Sequence, residues 1–115
     1  MGWIGVDLDG TIAKYEGWRG ADHVGEPIPA MVARVKKWLK RGIEVRIFTA
    51  RVGPQKSKAD VLAARIAIED WCMKHIGQRL QITCMKDYGM IELWDDRAVQ
   101  VEPNTGRRMD GKTDV

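Results

Sequence analysis

Four aspartates, in two pairs far apart in the chain, are the residues whose types and spacing point to chemistry. Asp7 and Asp9 stand one residue apart in "GVDLDGT", where an apolar stretch ends, and Asp95 and Asp96 are adjacent in "ELWDDR". Carboxylates that meet away from water repel one another unless a cation lies between them. Their hard oxygens suit Mg²⁺, which also accepts an oxygen of a substrate phosphate. The aspartates therefore predict a magnesium site, with ordinary turn chemistry as the competing interpretation.

The spacing of the first pair separates two roles. A turn at Gly10 lets the carboxylate of Asp9 swing forward of Asp7, so that one attacks phosphorus while the other protonates the leaving oxygen. Thr49, at the end of a second apolar stretch, predicts a hydrogen bond to a phosphoryl oxygen, or alternatively a helix N-cap. A lysine supplies positive charge to the transition state of such a reaction, and Lys86 in "CMKDYG" is the best-placed candidate.

The elements that must position these side chains follow from the hydrophobic pattern. Four segments predict strands, and a shorter one, "AVQVEP", predicts a fifth. The four are "WIGVDL", "IEVRIFTAR", "LQITCM" and "MIELWDD". Helical spacing in "PIPAMVARVKKWLKRG" and from about Ser57 to His75 predicts two helices between the first three strands. This order favours an α/β sheet whose parallel strands bring their carboxyl ends, and hence the acids and Thr49, to one edge.

These motifs also resemble those of a known superfamily. In this order, "DLDGT", "FTAR", a downstream lysine and "WDDR" are similar to the four motifs of the haloacid dehalogenase-like (HAD) phosphohydrolases, from Val6 to about Arg97. The resemblance implies one Rossmann-like, three-layer α/β domain over residues 1–103 with a mainly parallel sheet and no large cap. It implies a Mg²⁺-dependent phosphomonoesterase that acts through an aspartyl-phosphate. The polar segment 104–115 is expected to be a loose tail.

The resemblance also implies roles for the acids, residue by residue. Asp7 is the nucleophile and a metal ligand. Asp9 is the general acid and then the base, and it binds the metal through its backbone carbonyl. Asp95 binds Mg²⁺ directly, and Asp96 acts directly, through water or through Lys86.

The phosphate is expected to be held by a second set of residues. Thr49 holds the phosphoryl group, with help from the backbone at Gly10 and Ala50 and from the charge of Lys86. Arg51, two residues after Thr49, is expected either to pair with the acidic cluster or to contact the phosphate.

The segment between the first motif and the first helix bears on the substrate. Residues 12–27 are too few for a cap domain and predict a small flap, which leaves the site open on one side. Within it, Tyr15 and Trp18 stand beside Lys14 and Arg19. Such a pattern stacks on nucleobases and holds phosphates, unless Trp18 simply covers the end of the core. The expected partner is a phosphorylated small molecule, a nucleotide or a nucleic-acid end, and an oligomer would roof a small-molecule site.

Bulk composition excludes several other classes. The chain has 115 residues, a net charge of +3 and two cysteines, Cys72 and Cys84, which are read as reduced thiols of a cytoplasmic protein. No stretch has the length of a membrane helix, so no membrane partner is expected. The competing functional hypothesis is a non-catalytic HAD-like domain that binds metal, phosphate or a protein. A response-regulator receiver also has an acidic pocket, but its motif order does not match.

Overall fold

The computed structural model describes residues 2–115, and its centre is a four-stranded, all-parallel sheet. Its strands are β1 (Trp3–Asp7), β2 (Glu44–Phe48), β3 (Gln81–Thr83) and β4 (Met90–Trp94). They lie in the order β3-β2-β1-β4. In the register of the sheet, Asp7 pairs with Phe48 and Val6 pairs with Trp94, so β1, β2 and β4 end almost level. The predicted α/β class with a parallel sheet is therefore confirmed.

Two helices and one short turn of 3₁₀ helix connect the first three strands. They are α1 (Pro29–Lys40), α2 (Lys58–His75) and the 3₁₀ turn Ala50–Val52. Pro29 occupies the first turn of α1, where a missing N–H costs no helical hydrogen bond. Ser57 caps α2, since its Oγ accepts a hydrogen bond of 3.1 Å from the backbone N–H of Asp60. Both helices lie where the hydrophobic spacing predicts them.

Both helices pack on the same face of the sheet. Their buried residues form one cluster with the alternate strand residues that point to that side, and the cluster includes Ile4, Val6, Val45, Ile47 and Ile82. Right-handed crossovers from β1 to β2 and from β2 to β3 run in the same direction, which puts both connecting helices on one side.

The resemblance implies a third layer on the second face of the sheet, but in residues 2–115 no helix covers that face. The connection from β3 to β4 spans only residues 84–89, too few for a crossover helix. The side chains on this second face include Trp3, whose indole N–H donates to Asp87 over 2.8 Å and whose ring lies under Arg46. A short loop and a cation–π contact thus cover the face where a helix was expected.

The end of the chain differs from the prediction in two respects. The segment "AVQVEP" does not join the sheet as a fifth strand, and it forms only an isolated antiparallel bridge between Val101 and Arg108. Residues after 104 fold back on it rather than running free: Met109 N–H donates to the Gln100 carbonyl over 2.9 Å. The turn lies at Asn104 and Gly106, which both have positive φ angles. These left-handed residues reverse the chain before a strand can extend.

Residues 12–27 form a flap without helix or strand. Its base is closed by an isolated bridge between Ala13 and Pro27 and by the N–H of Lys14, which donates to the Glu26 carbonyl over 2.8 Å. The indole N–H of Trp71, in α2, donates to the Gly25 carbonyl over 2.8 Å. The flap is therefore fixed at both ends, beside β1 and against α2.

Two further findings concern the cysteine thiols and the character of the helices. Cys72 is buried and Cys84 is half-buried, and both are free thiols. Burial raises the pKa of the Cys72 thiol to about 11, which keeps it protonated and unreactive at neutral pH. None of the helices in residues 2–115 has the length and apolar character needed to cross a membrane.

Candidate metal and phosphate site

Three of the four predicted aspartates meet at the carboxyl ends of β1 and β4. Carboxylate oxygens of Asp7, Asp95 and Asp96 all lie within 4.8 Å of one another. Asp7 is the last residue of β1, and the other two follow directly after β4. Because these two parallel strands are neighbours in the sheet, their ends bring together side chains that are far apart in the sequence. The predicted meeting of the acids is thus present for these three residues.

The turn after β1 fits closely around this group. Thr11 Oγ1 lies 3.3 Å from an oxygen of Asp7 and 3.3 Å from an oxygen of Asp96, and it accepts a 3.0 Å hydrogen bond from the backbone N–H of Asp96. Gly10 has a φ of +91°, and a Cβ on it would overlap the Asp96 carboxylate. Its own N–H already donates to the Ala13 carbonyl over 2.8 Å. Gly10 therefore contributes room and chain direction, and in this arrangement it lacks the free N–H expected for phosphate.

Electrostatics make Asp7 the unusual member of the group. Its pKa is raised from the ordinary value of 3.8 to about 7, mainly by burial and also by the charge of Asp95 and by the hydrogen bond and charge of Asp96. A hydrogen bond from Thr11 opposes this rise. Without a cation, the ionised form of Asp7 is thus disfavoured, and a bound cation reverses the balance.

The Asp9 side chain lies outside this group of three, because it forms a bidentate ion pair. Its two carboxylate oxygens accept hydrogen bonds of 2.9 and 2.8 Å from Nε and Nη2 of Arg51. Arg51 is buried, and its remaining nitrogen, Nη1, donates to the carbonyls of His23 and Ala21 in the flap. Of the two roles expected for Arg51, the ion pair is present, and it keeps the Asp9 side chain out of the group of three. The expected contact of the Asp9 carbonyl with metal stays a prediction.

Thr49 lies at the end of β2 with its hydroxyl in place for both predicted roles. It is 3% exposed, and its Oγ1 accepts a 3.2 Å hydrogen bond from the N–H of Arg51, which caps the 3₁₀ turn. A hydroxyl that accepts one bond retains its hydrogen for donation. The N-cap interpretation and the phosphate-binding interpretation are therefore compatible.

Of the predicted site residues, all except Gly10 and Lys86 line one open cleft of about 350 Å³. The polar residues that line it are Asp7, Asp9, Thr49, Arg51, Lys56, Asp95, Asp96 and Arg97, and Tyr15, Trp18, Phe48 and Ala50 complete the wall. Asp95 accepts a 2.8 Å hydrogen bond from the N–H of Arg97, which is ordinary turn chemistry, although no hairpin to a fifth strand follows in the residues described. One oxygen of Asp95 remains available beside the cleft.

The position of the lysine differs from the prediction. Lys86 is exposed in the connection between β3 and β4 and does not line the cleft. The next residue, Asp87, bonds to Trp3 at the amino end of β1, which draws this connection away from the end that holds Asp7. Lys56 lines the cleft instead.

Sequence reasoning missed two residues of the site. Thr11 is part of the "DLDGT" motif, and its place directly after the turn is the signal that links it to Asp7. Lys56 stands in "VGPQKS", the loop after β2, and a cation at the carboxyl end of a central strand is a signal of the same kind.

The comparison with known proteins gives information about the fold alone. No family model and no curated protein matches the chain. A solved structure, described as a conserved protein coded by a locus of Bacteroides thetaiotaomicron, resembles it with a TM-score of 0.55 and 21% sequence identity. The match covers 84% of this chain and 76% of that chain. At this identity the likeness concerns the architecture.

Proposed function

We propose that the protein is a Mg²⁺-dependent phosphomonoesterase that acts through an aspartyl-phosphate on Asp7. The observation that carries the proposal is the meeting of Asp7, Asp95 and Asp96 in the same cleft as the Thr49 hydroxyl. Carboxylates and a hydroxyl on an open cleft suit a substrate whose phosphate binds at the bottom while the rest remains outside.

The donor set fits a magnesium ion. Three carboxylate oxygens within 4.8 Å of one another are hard ligands. The raised pKa of Asp7 reflects its burial and then the negative charge of its neighbours, and a divalent cation would offset both. In this proposal Asp7, Asp95 and Asp96 hold the ion. When bound, Mg²⁺ neutralises charge on the phosphate and on the acids that surround it.

The protein's own residues carry the two transfers. In the first, an oxygen of Asp7 forms a bond to phosphorus as the bond to the leaving oxygen breaks, and protonated Asp9, with one oxygen released from Arg51, gives the leaving oxygen a proton. In the second, water attacks the aspartyl-phosphate, its proton passes to Asp9, and inorganic phosphate leaves with Asp7 regenerated. Thr49 donates its free hydroxyl hydrogen to a phosphoryl oxygen in both steps, and Arg51 orients Asp9 through the oxygen that it retains.

A lysine charge completes the proposal, and the resemblance assigns it to Lys86. Of residues 2–115, none forms an ion pair with Lys86, but it does not line the cleft, so this role requires the connection between β3 and β4 to move toward a bound phosphate. The role of Lys86 thus stays a prediction that the following experiment decides.

The test is hydrolysis of a panel of phosphomonoesters with Mg²⁺ and with EDTA. We expect Asp7→Asn to lower kcat by more than about 1,000-fold and Lys86→Met by about 100-fold, because one removes the nucleophile and the other removes charge from the transition state. The control is Asp114→Asn, an exposed carboxylate at the end of the chain, which should match the wild type. Equal rates for wild type and Asp7→Asn would end the proposal.

A second readout separates the enzyme from the non-catalytic alternative. Protein quenched in acid during turnover should carry phosphate on Asp7, located by mass spectrometry of its peptides. Binding of Mg²⁺ and phosphate without turnover of any substrate would favour the binding domain. A kcat for Lys86→Met close to that of the wild type would leave Lys56 as the lysine at the cleft.

A further inference from the structure

We propose that the leaving group of the substrate is a nucleoside, and that its base stacks on Trp18 of the flap. This inference rests on the proposed phosphatase function and names the substrate class of the same cleft. It starts from the residues that the two transfers do not use.

Trp18 differs from the other four tryptophans. Trp3 and Trp71 are 1% and 6% exposed, and Trp38 and Trp94 pack against the core and against each other, with ring centroids 5.3 Å apart. Trp18 is 52% exposed and lies outside the core cluster. The interpretation that it covers the end of the core is therefore wrong. A half-exposed indole next to a reactive site has apolar surface available to a ligand.

The exposed indole lies on the wall of the cleft that contains the acids. Trp18 and Tyr15, itself 46% exposed, line the same cleft as Asp7 and Thr49. The closed base of the flap, from Ala13 to Pro27, fixes the segment that carries both rings beside the end of β1. A substrate whose phosphate lies against Asp7 thus has an aromatic wall beside its leaving group.

Two cations next to the indole further restrict the kinds of ligand that would bind there. The Arg51 guanidinium carbon lies 5.0 Å and Lys56 Nζ lies 4.7 Å from the centroid of the Trp18 ring. Arg51 is already bound to Asp9, whereas Lys56 forms no ion pair with the residues described in 2–115. Lys56 lies over the indole itself, so a ring that stacks there displaces its ammonium group, which then has hydrogens to donate to the edge of that ring.

A nucleobase satisfies both parts of this wall. It has a flat π face for the indole, and it has ring nitrogens and carbonyl oxygens that accept hydrogen bonds from Lys56. A sugar phosphate has no flat ring, and a phenyl ring has no acceptor at its edge. Because the cleft is open, a free nucleotide and the phosphorylated end of a single strand present the same chemistry to it.

The experiment compares substrates that differ only in the base. We measure kcat/KM for a nucleoside 5′-monophosphate and for ribose 5-phosphate with the wild type, Trp18→Leu, Trp18→Phe and Lys56→Met. Stacking on an aromatic side chain predicts a ratio of about 10 to 100 in favour of the nucleotide for the wild type. Trp18→Leu should bring the ratio close to one, Trp18→Phe should keep most of it, and Lys56→Met should lower it. Tyr88→Leu removes an exposed aromatic outside the cleft and should leave the ratio unchanged.

Further arms distinguish the sources of the nucleoside. Single-stranded oligonucleotides with a 3′- or a 5′-phosphate test strand ends, and a preference for either over the mononucleotide identifies a nucleic-acid end as the substrate. Phenyl phosphate and a phosphotyrosine peptide test for any flat ring. If these show the same dependence on Trp18 and are hydrolysed as fast as the nucleotide, the assignment of a nucleoside is overturned.

Failure of this inference is separable from failure of the phosphatase function. A wild-type ratio near one, with hydrolysis that still requires Asp7, overturns the nucleoside and leaves the phosphatase. If no substrate is hydrolysed, calorimetry on Asp7→Asn protein with and without Trp18→Leu still measures binding of the nucleotide against ribose 5-phosphate. Equal binding of the two ligands there would overturn the inference without any turnover.

Discussion

At the scale of single residues, Gly10 is the position that allows the acids to approach. The chain turns there with φ at +91°, and the Asp96 carboxylate occupies the space of a side chain. Thr11, the next residue, touches both Asp7 and Asp96 through its hydroxyl. The "GT" of the motif thus sets the separation of two acids that belong to different strands.

Replacing Gly10 by alanine should weaken metal binding more than it weakens the fold. Gly10→Ala adds a methyl group against the Asp96 carboxylate and strains a left-handed residue, whereas Gly42→Ala, at φ +79° with open space around it, adds only the strain. Both should lower stability by about 1 kcal/mol. Titration with Mg²⁺, followed by calorimetry, should show at least about a 10-fold loss of affinity for Gly10→Ala and none for Gly42→Ala. Equal Mg²⁺ affinities of Gly10→Ala and Gly42→Ala would mean that Asp96 does not bind the metal.

The same residues show how far the sequence predicts the site. Asp7, Asp95 and Asp96 meet as predicted, because hydrophobic pattern defines where strands end and parallel strands end at one edge. The orientation of the Asp9 side chain could not be predicted from the hydrophobic pattern, because it depends on which rotamer Arg51 stabilises. Lys56 was missed because the loop after β2 has no periodicity that would place its side chain.

At the scale of elements, Arg51 links three parts of the molecule. It follows β2, pairs with Asp9 after β1, and donates to the carbonyls of Ala21 and His23 in the flap. The hydrophobic pattern predicted β1 to β4 and both helices. The absence of a helical third layer in residues 2–115 and the hairpin near residue 104 depend on short connections and left-handed turns. The flap has no pattern of its own and takes its shape from such contacts.

Arg51→Met should therefore release the flap as well as destabilise the fold. Removing one partner of a buried pair leaves Asp9 uncompensated and frees two carbonyls, at a cost of about 3 kcal/mol in the free energy of unfolding. Arg107→Met breaks an exposed pair with Glu102 and should cost under about 1 kcal/mol. Urea unfolding measures both, and hydrogen exchange should rise in residues 12–27 for Arg51→Met alone. Unchanged exchange there would contradict the role of Arg51 in the flap.

At the scale of the whole molecule, the raised pKa of Asp7 and the proposed Mg²⁺ site should make stability depend on pH and on metal in opposite ways. Burial and the neighbouring acids raise the pKa of Asp7 from 3.8 to about 7, so the folded protein holds this proton more tightly than the unfolded chain does. Between these two values the unfolded chain loses the proton first, and the free energy of unfolding falls as the pH rises. Hydrogen bonds from Arg107 and Arg108 lower the pKa values of Glu102 and Asp110 in the exposed hairpin. Their contribution to stability is lost only as the pH falls below about 5, so it stays constant between about pH 5 and pH 8.

The thermal midpoint in EDTA should therefore be lower at pH 8 than at pH 5 by an amount that Asp7→Asn removes. Because Asp7 is partly solvated, we expect the loss in the free energy of unfolding between pH 5 and pH 8 to be on the order of 1 kcal/mol, about half of what the two pKa units between pH 5 and pH 7 represent. Mg²⁺ at 100 times its dissociation constant should add about 2.7 kcal/mol at pH 8, and much less at pH 5, where the ion must displace a proton. Differential scanning calorimetry of both proteins, with and without Mg²⁺, measures each difference. An equal effect of Mg²⁺ at the two pH values, or a pH difference that survives Asp7→Asn, would mean that Asp7 is not where the ion and the proton compete.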